Sequence, residues 1–277
     1  MADGRLILVA TPIGNLGDMS PRAIDALQGA DVVACEDTRR SGRLLAHFGI
    51  RVPRLLAIHE HNEFEKADYV VQLLGEGQVV AVITDAGMPG ISDPGERLVA
   101  AVTTAGFEVE VIPGPVAFVG ALVASGISAT RFVFEGFLPR KGAGRTERLA
   151  ALRAEQRTMV LYEAPHRLAA TLSDLATVLG DGRQVSVARE LTKMHEETWR
   201  GTLAEAVERC ITVEPRGEYV LTIAGAPDAA PATDDILIEA LARYRKDGLS
   251  KRDATDVVTA EYQVARRRVY DLANTSA

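Results

Sequence analysis

Val79-Val80-Ala81-Val82-Ile83 runs directly into Thr84-Asp85-Ala86-Gly87-Met88-Pro89-Gly90-Ile91-Ser92-Asp93-Pro94-Gly95 and then into Glu96-Arg97-Leu98-Val99-Ala100-Ala101-Val102. The opening run is short, apolar and mostly β-branched, the composition of a strand buried in a parallel sheet. The closing run suits a helix. Between them lies a loop of glycines and prolines that carries Asp85 and Asp93. Strand, loop and helix form the repeating unit of α/β sheets, which bind ligands at the carboxyl ends of their strands. Glycine lets backbone N–H groups approach a ligand closely, and carboxylates accept hydrogen bonds from hydroxyl or ammonium groups. The loop is therefore a candidate cofactor site. The plainer alternative is a tight connection between a strand and a helix.

The pattern repeats on both sides of this stretch. Leu6–Ala10, Asp31–Cys35, Arg54–His59 and Val109–Ile112 read as further strands. Pro21–Gln28, Arg40–Phe48, Glu63–Leu74 and Glu96–Thr104 read as helices, the first with Ser20 as N-cap and Pro21 at its first position. This alternation predicts a mostly parallel sheet covered by helices over residues 1–113. Pro113-Gly114-Pro115 is strong punctuation and marks a domain joint. A second α/β domain follows over 114–226. Its expected helices are Val116–Ser125, Thr146–Glu155, Leu168–Leu179 and one near Leu203–Cys210. Its expected strands are Phe132–Phe134, Thr158–Tyr162, Gln184–Ala188, Thr198–Thr202 and Tyr219–Ala224, shorter and of mixed direction. Ala226–Thr233 has linker composition. Beyond it, Asp234–Lys246 and Lys251–Ala273 read as a helical appendage over 234–277, with Ser250 and Asp253 at capping-box spacing.

The 277 residues suit one large or two medium domains, and 47% apolar with 25% charged residues is ordinary for a soluble globular chain. A net charge of −7 argues against a protein that coats nucleic acid nonspecifically, though not against a local basic patch. Cys35 and Cys210 are far apart and form neither a zinc spacing nor a Cys-x-x-Cys pair, so a reducing cytoplasm fits best. No apolar run approaches the ~20 residues that span a bilayer, and Leu6–Ala10 is too short for a signal-peptide core.

Several polar segments fall at expected strand ends. Ala10–Asp18 stands where a dinucleotide fold would carry Gly-x-Gly-x-x-Gly, but neither that fingerprint nor a Walker loop is present. Glu36, Asp37 and Arg39 follow the second strand; they could orient a hydroxyl or bind a phosphate, or simply cap a helix. His59-Glu60-His61-Asn62-Glu63 invites a metal reading, but strand alternation would put His59 and His61 on one face and Glu60 on the other. No His-Glu-x-x-His helix exists, so a substrate-facing loop or a helix start is preferred and no metal is expected. Tyr162-Glu163-Ala164-Pro165-His166-Arg167 offers Glu163 and His166 as proton acceptors and Arg167 as a phosphate partner. Arg189–Glu197 follows another strand. A cleft lined by strand ends from both halves is the natural site.

Six blocks in this order resemble the ribosomal-RNA-modifying branch of the tetrapyrrole methylase superfamily. They are Ala10–Leu16, Cys35–Arg39, Asp85–Gly95, Pro113–Pro115, Tyr162–Arg167 and Arg189–Lys193, and the likeness runs from about Leu6 to Ala224. The tail Leu249–Ala273 is more loosely similar to that branch's C-terminal helical piece. The resemblance implies two α/β domains with S-adenosylmethionine (S-adenosyl-L-methionine) bound between them, a homodimer, and methylation of the ribose 2′-hydroxyl of a cytidine in the decoding region of 16S ribosomal RNA in the small ribosomal subunit. It implies a cofactor loop of Asp85, Ala86, Gly87, Met88, Gly90, Ile91 and Asp93. It also places Pro12, Val116, Ala117, Tyr162, Glu163, Leu191 and Glu218 at the cofactor pocket. The first loop, Pro12-Ile13-Gly14-Asn15, departs from the Gly-x-Gly-Pro-Gly-Asp pattern of the tetrapyrrole-processing relatives, which favours RNA over a porphyrinoid.

A ribose hydroxyl is a weak acid, so a base, or a cation beside the developing alkoxide, should assist its methylation. Glu36, Glu163 and His166 are candidate bases. Arg39, Arg167, Arg189 and Lys193 are candidates for alkoxide or phosphate contact. Arg131–Arg157 holds seven basic residues against three acidic ones. Gly142 and Gly144 predict a mobile basic loop in its middle, and Arg140, Lys141, Arg145 and Arg148 are expected to meet RNA phosphates, though a solvated charged face is the commoner origin of such a run. Arg243–Arg268 adds a second basic stretch. Two rival readings remain at this stage: a methylase of a tetrapyrrole or another small molecule, and a non-enzymatic RNA-binding protein.

Overall fold

A computed structural model describes residues 4–59, 62–227, 232–262 and 264–275. The chain divides into two compact units, 1–226 and 227–277. Among the described residues, the first unit is built on two five-stranded sheets.

The first sheet contains β1 (Arg5–Val9), β2 (Val32–Cys35), β3 (Arg54–Ala57), β4 (Val79–Val82) and β5 (Glu108–Ile112) in the order β3-β2-β4-β1-β5. All its pairings are parallel, with Leu6 beside Val80 and Val109, for example. Alternation along the strands supplies two cores. Leu6, Leu8, Val80 and Val82 face α3 (Glu63–Gly75) and α4 (Glu96–Thr104), while Ile7, Val9, Val33 and Ala81 face α1 (Pro21–Gln28) and α2 (Thr38–His47). Both faces are dry along the central strands β2, β4 and β1, which is why these read as continuous apolar runs. Ser20 caps α1 by accepting from the Ala23 N–H, and Asp37 caps α2 by accepting from the N–H groups of Arg39 and Arg40.

The second sheet contains β6 (Phe132–Phe137), β7 (Thr158–Glu163), β8 (Gln184–Arg189), β9 (Glu197–Thr202) and β10 (Tyr219–Ile223) in the order β6-β7-β10-β8-β9. Only β6 and β7 pair in parallel. Met159, Leu161, Val185, Leu221 and Ile223 face α7 (Pro165–Leu179) and α8 (Leu203–Thr212). Val160, Ala188 and Val220 face α5 (Ala117–Ala124).

Two expectations fail here. The segment around Gly142 and Gly144 is not an open loop. Gly142, at φ +82°, caps α6 (Ala143–Leu152), so Gly144 and Arg145 lie in a helical turn. Arg145 pins that turn to α7, donating to Asp174 Oδ2 at 2.7 Å, to Thr171 Oγ1 at 3.0 Å and to the Pro139 carbonyl at 3.0 Å. The tail Lys251–Ala273 is also not one helix. The second unit has α9 (Asp234–Lys246), α10 (Lys251–Tyr262) and α11 (Arg266–Thr275). The break lets Val269 and Ala273 share a core with Leu237, Leu241 and Val258, which a single straight helix could not do. The Ser250 hydroxyl accepts from the Asp253 N–H at 3.2 Å and donates to Asp253 Oδ2 at 2.6 Å. No helix among the described residues is long and apolar enough to cross a membrane.

Candidate active site

β1 and β4 are neighbours, but α1 and α4, which follow them, lie on opposite faces of the sheet. Their carboxyl ends thus form a topological switch point, where α/β sheets bind ligands. The loop 84–95 rises from this point and is tied down locally. The Thr11 N–H donates to the Gly87 carbonyl at 2.9 Å, and the Thr11 hydroxyl donates to the Thr84 carbonyl at 2.6 Å. The Thr84 hydroxyl donates to Asp93 Oδ2 at 2.8 Å and closes the loop on itself. Gly87, at φ +98°, has no room for a side chain, since a Cβ there would lie 2.6 Å from the Pro115 carbonyl oxygen. Ser92 holds φ +58° without being glycine. On the opposite wall Glu190 and Thr192 also have positive φ. Such strained residues gather where surrounding structure over-determines a site.

Between these walls lies a cleft of about 310 Å³. Asp85, Ala86, Ile91 and Asp93 line it from the first sheet's side, and Ala117, Tyr162, Glu163, Leu191 and Glu218 from the second's. Other residues expected at a cofactor are outside the lining. Gly87 and Gly90 shape the turns, Met88 packs into the core under α3 and α4, Val116 is the N-cap of α5, and Pro12 follows the anchored Thr11. Ile13, Ser92, Phe137 and Val220 line the cleft and were not singled out. Ile13 and Ser92 lie within blocks the sequence flagged. Phe137 and Val220 carried no local signal, because an apolar strand residue looks the same facing a core or a cleft.

Among the described residues, the lining includes carboxylates but no lysine or arginine. Burial raises the Asp85 carboxyl above the usual range, against the pull of Arg40, whose Nη1 is 3.5 Å from Asp85 Oδ2. Burial also raises Asp93 despite the Thr84 hydrogen bond. Glu36, just beyond β2, is raised by burial and by repulsion from Asp93 and Asp85. Glu36 also bounds a small adjoining cavity with Cys35, Thr84 and Pro94. The three carboxyls thus form one destabilised group.

Glu163 is different. Its carboxylate accepts from Thr171 Oγ1 at 2.6 Å and from the Ala164 N–H at 2.9 Å, and Arg167 Nε lies 3.2 Å away. Arg167 also donates to the Leu138 carbonyl. His166 is exposed and outside the lining. Tyr162 accepts from the Phe118 N–H, and burial raises its phenol. Lys193 Nζ sits between Glu190 at 2.9 Å and Glu218 at 2.8 Å. Burial pulls the Lys193 ammonium down, but those hydrogen bonds outweigh it and leave it raised. Arg189 donates to the Arg216 carbonyl.

Arg39 is solvent-facing, with its side chain 87% exposed beside Asp37. Arg140 and Lys141 are exposed, whereas Arg148 pairs with Glu135 at 2.5 Å. Among the described residues no group of three or more His, Cys, Asp or Glu side chains could hold a metal ion. Glu60 and His61 lie outside the described residues.

The family model for tetrapyrrole (corrin/porphyrin) methylases matches residues 5–207. A curated relative from Synechocystis sp., named ribosomal RNA small subunit methyltransferase I, is 48% identical over 272 residues, covering 98% of this chain and 97% of its own. A relative of the same name from Xylella fastidiosa is 48% identical over 242 residues, covering 86% and 88%. Among solved structures, the methyltransferase CobJ superposes with a TM-score of 0.61 at 19% identity, covering 82% of this chain and 98% of its own, a likeness of fold.

Proposed function

This chain belongs to the tetrapyrrole methylase family, and on that footing we propose that it is an S-adenosylmethionine-dependent methyltransferase acting on the ribose 2′-hydroxyl of a cytidine in the decoding region of 16S ribosomal RNA, within the small ribosomal subunit. The observation that carries this reading is the name borne by relatives nearly half identical along the chain. The cleft supports its cofactor half. A carboxylate-lined cavity without lysine or arginine suits a ligand carrying a sulfonium and an ammonium. Ile13, Ile91, Ala117 and Leu191 supply apolar surface for its other parts, and the volume fits a small-molecule site. Asp85, Asp93 and Glu218 would accept from its ammonium and hydroxyl groups. Bound there, S-adenosylmethionine supplies a methyl group activated by positive charge on sulfur.

The chain's own residues must align the acceptor oxygen and take its proton. Glu36 is the base we assign. Its carboxyl is raised, it is exposed beside Asp85 and Asp93, and among the described residues no hydrogen-bond donor consumes it as Thr171 and Ala164 consume Glu163. Arg39 stands next to it, exposed, for a flanking phosphate. Arg140 and Lys141 extend RNA contact, while Arg145 serves the fold. In this reading 1–113 and 114–226 act as two domains and 234–277 as an appendage. The chain works in the cytoplasm as a homodimer through the outer face of α5, where Val119, Val123 and nearby Phe132 are exposed.

The test is incubation with methyl-labelled S-adenosylmethionine and unmodified small ribosomal subunits, followed by digestion and mass spectrometry of the labelled nucleosides. Label on the ribose of one cytidine is the expected result. Bound cofactor with no labelled RNA would overturn the RNA reading and direct the search to tetrapyrroles or other small acceptors.

A further inference from the structure

Glu63 is outside the cleft lining, yet it reaches the loop that forms the cleft. The first N–H groups of a helix have no intrahelical partner, and a Ser, Thr, Asp or Asn N-cap usually supplies one. α4 has no such residue. Its N-cap is Gly95, at φ +137°, where a Cβ would lie 3.0 Å from the Gly90 nitrogen. The missing acceptor comes from a different helix. Glu63, the first residue of α3 and 6% exposed, places Oε1 2.9 Å from the Gly95 nitrogen, 3.1 Å from that of Arg97 and 3.2 Å from that of Leu98. A negative group here is also favoured by the α4 dipole.

The body of α4 is held independently, with Leu98 and Val102 fully buried. What depends on Glu63 is the junction between the helix and the loop. Gly95 packs against Gly90, and the Gly90 N–H donates to the Pro94 carbonyl at 3.2 Å. Thr84 and Thr11 secure the other parts of the loop.

We propose that Glu63 is a positioning residue of the cofactor loop: its buried carboxylate clamps Gly95, Arg97 and Leu98, fixes how Asp85–Asp93 is presented to the cleft, and so sets cofactor affinity without touching the cofactor. This rests on the reading of 84–95 as the S-adenosylmethionine loop. Glu63 is outside the cleft lining.

The experiment compares the full-length chain with Glu63→Ala, Glu63→Gln and Val102→Ala. Calorimetry with S-adenosylmethionine, steady-state methyl transfer, and ligand-free amide hydrogen exchange over residues 85–98 are measured on each. Glu63→Ala should weaken cofactor affinity by about tenfold, the ratio to which a lost helix cap converts. Exchange over 85–98 should accelerate, and kcat at saturating cofactor should stay within about twofold, because the reacting groups remain. Glu63→Gln keeps an accepting oxygen without the charge and should fall between wild type and alanine, and it reads the effect if alanine does not fold. Val102→Ala loosens α4 from the core and should leave cofactor affinity unchanged. Unchanged affinity and exchange in both Glu63 variants, or an equal affinity loss in Val102→Ala, would overturn the proposal. Accelerated exchange in a chain whose wild type binds no S-adenosylmethionine would retain the clamp and overturn the cofactor reading instead.

Discussion

Two sets of carboxylates stand in and beside the cleft and have opposite physical characters. Glu163 is almost fully buried, yet a hydroxyl, a backbone N–H and a guanidinium satisfy it. Glu36, Asp85 and Asp93 are less buried, yet the burial they have raises all three carboxyls, and repulsion from Asp85 adds to it at Glu36 and Asp93. Burial alone does not separate a structural acid from a chemical one. The separation comes from whether the neighbours supply enough donors and cations to offset that burial. In the proposed function the second sheet contributes a wall and the first sheet contributes the reacting groups.

The strongest challenge to that division is Glu36→Gln. Methyl transfer should fall by about a hundredfold or more, the scale of a lost general base, while calorimetry shows cofactor affinity nearly intact. Single-turnover rates within a few-fold of wild type would move the proton acceptor elsewhere. Asp85→Ala should weaken S-adenosylmethionine binding by about a hundredfold with circular dichroism unchanged, as a charge-assisted contact disappears. Retained affinity would remove this loop from the site. On the opposite wall, Glu163→Ala should act on the fold, costing about 3 kcal/mol in urea denaturation because Arg167 and Thr171 lose their partner. A stable Glu163→Ala protein that is catalytically dead would erase the contrast between the two sets.

Smaller effects refine it. Replacing both Arg140 and Lys141 with alanine should weaken RNA binding several-fold and flatten its salt dependence by up to about two units of slope, leaving cofactor affinity alone. The smallest effect concerns pH. In the folded chain Glu36 releases its proton at higher pH than in the unfolded chain, so its contribution to stability is present below the unfolded carboxylate range and is lost as pH rises through the folded value. Glu36→Gln should therefore melt roughly 1–2 °C above wild type near neutral pH, with the gap closing below about pH 4. A gap that persists in acid would attribute the gain to packing.

Periodicity and punctuation were enough for the architecture. Pro21–Gln28 and Glu96–Thr104 have the helical bounds read from sequence, since a Ser-Pro start and a Gly95 boundary are local signals. The Gly142–Gly144 segment misled because two glycines in a basic run look mobile, while the helix they open is held by Asp174 and Thr171, nearly thirty residues away in sequence. The tail misled for the same reason: its break serves a core shared by three helices.

The local chemistry of the chain thus determined an alternating α/β order, strand-end polar loops and a glycine-rich segment with two aspartates, because each depends on neighbours within a few residues. Tertiary structure alone decided which carboxylates share a charge environment, that Arg145 is tied to Asp174 and Arg167 to Glu163, and that Glu63 closes a helix 32 residues further on. Those outcomes depend on distance and burial between segments remote in sequence, and such quantities exist only once the sheets have formed.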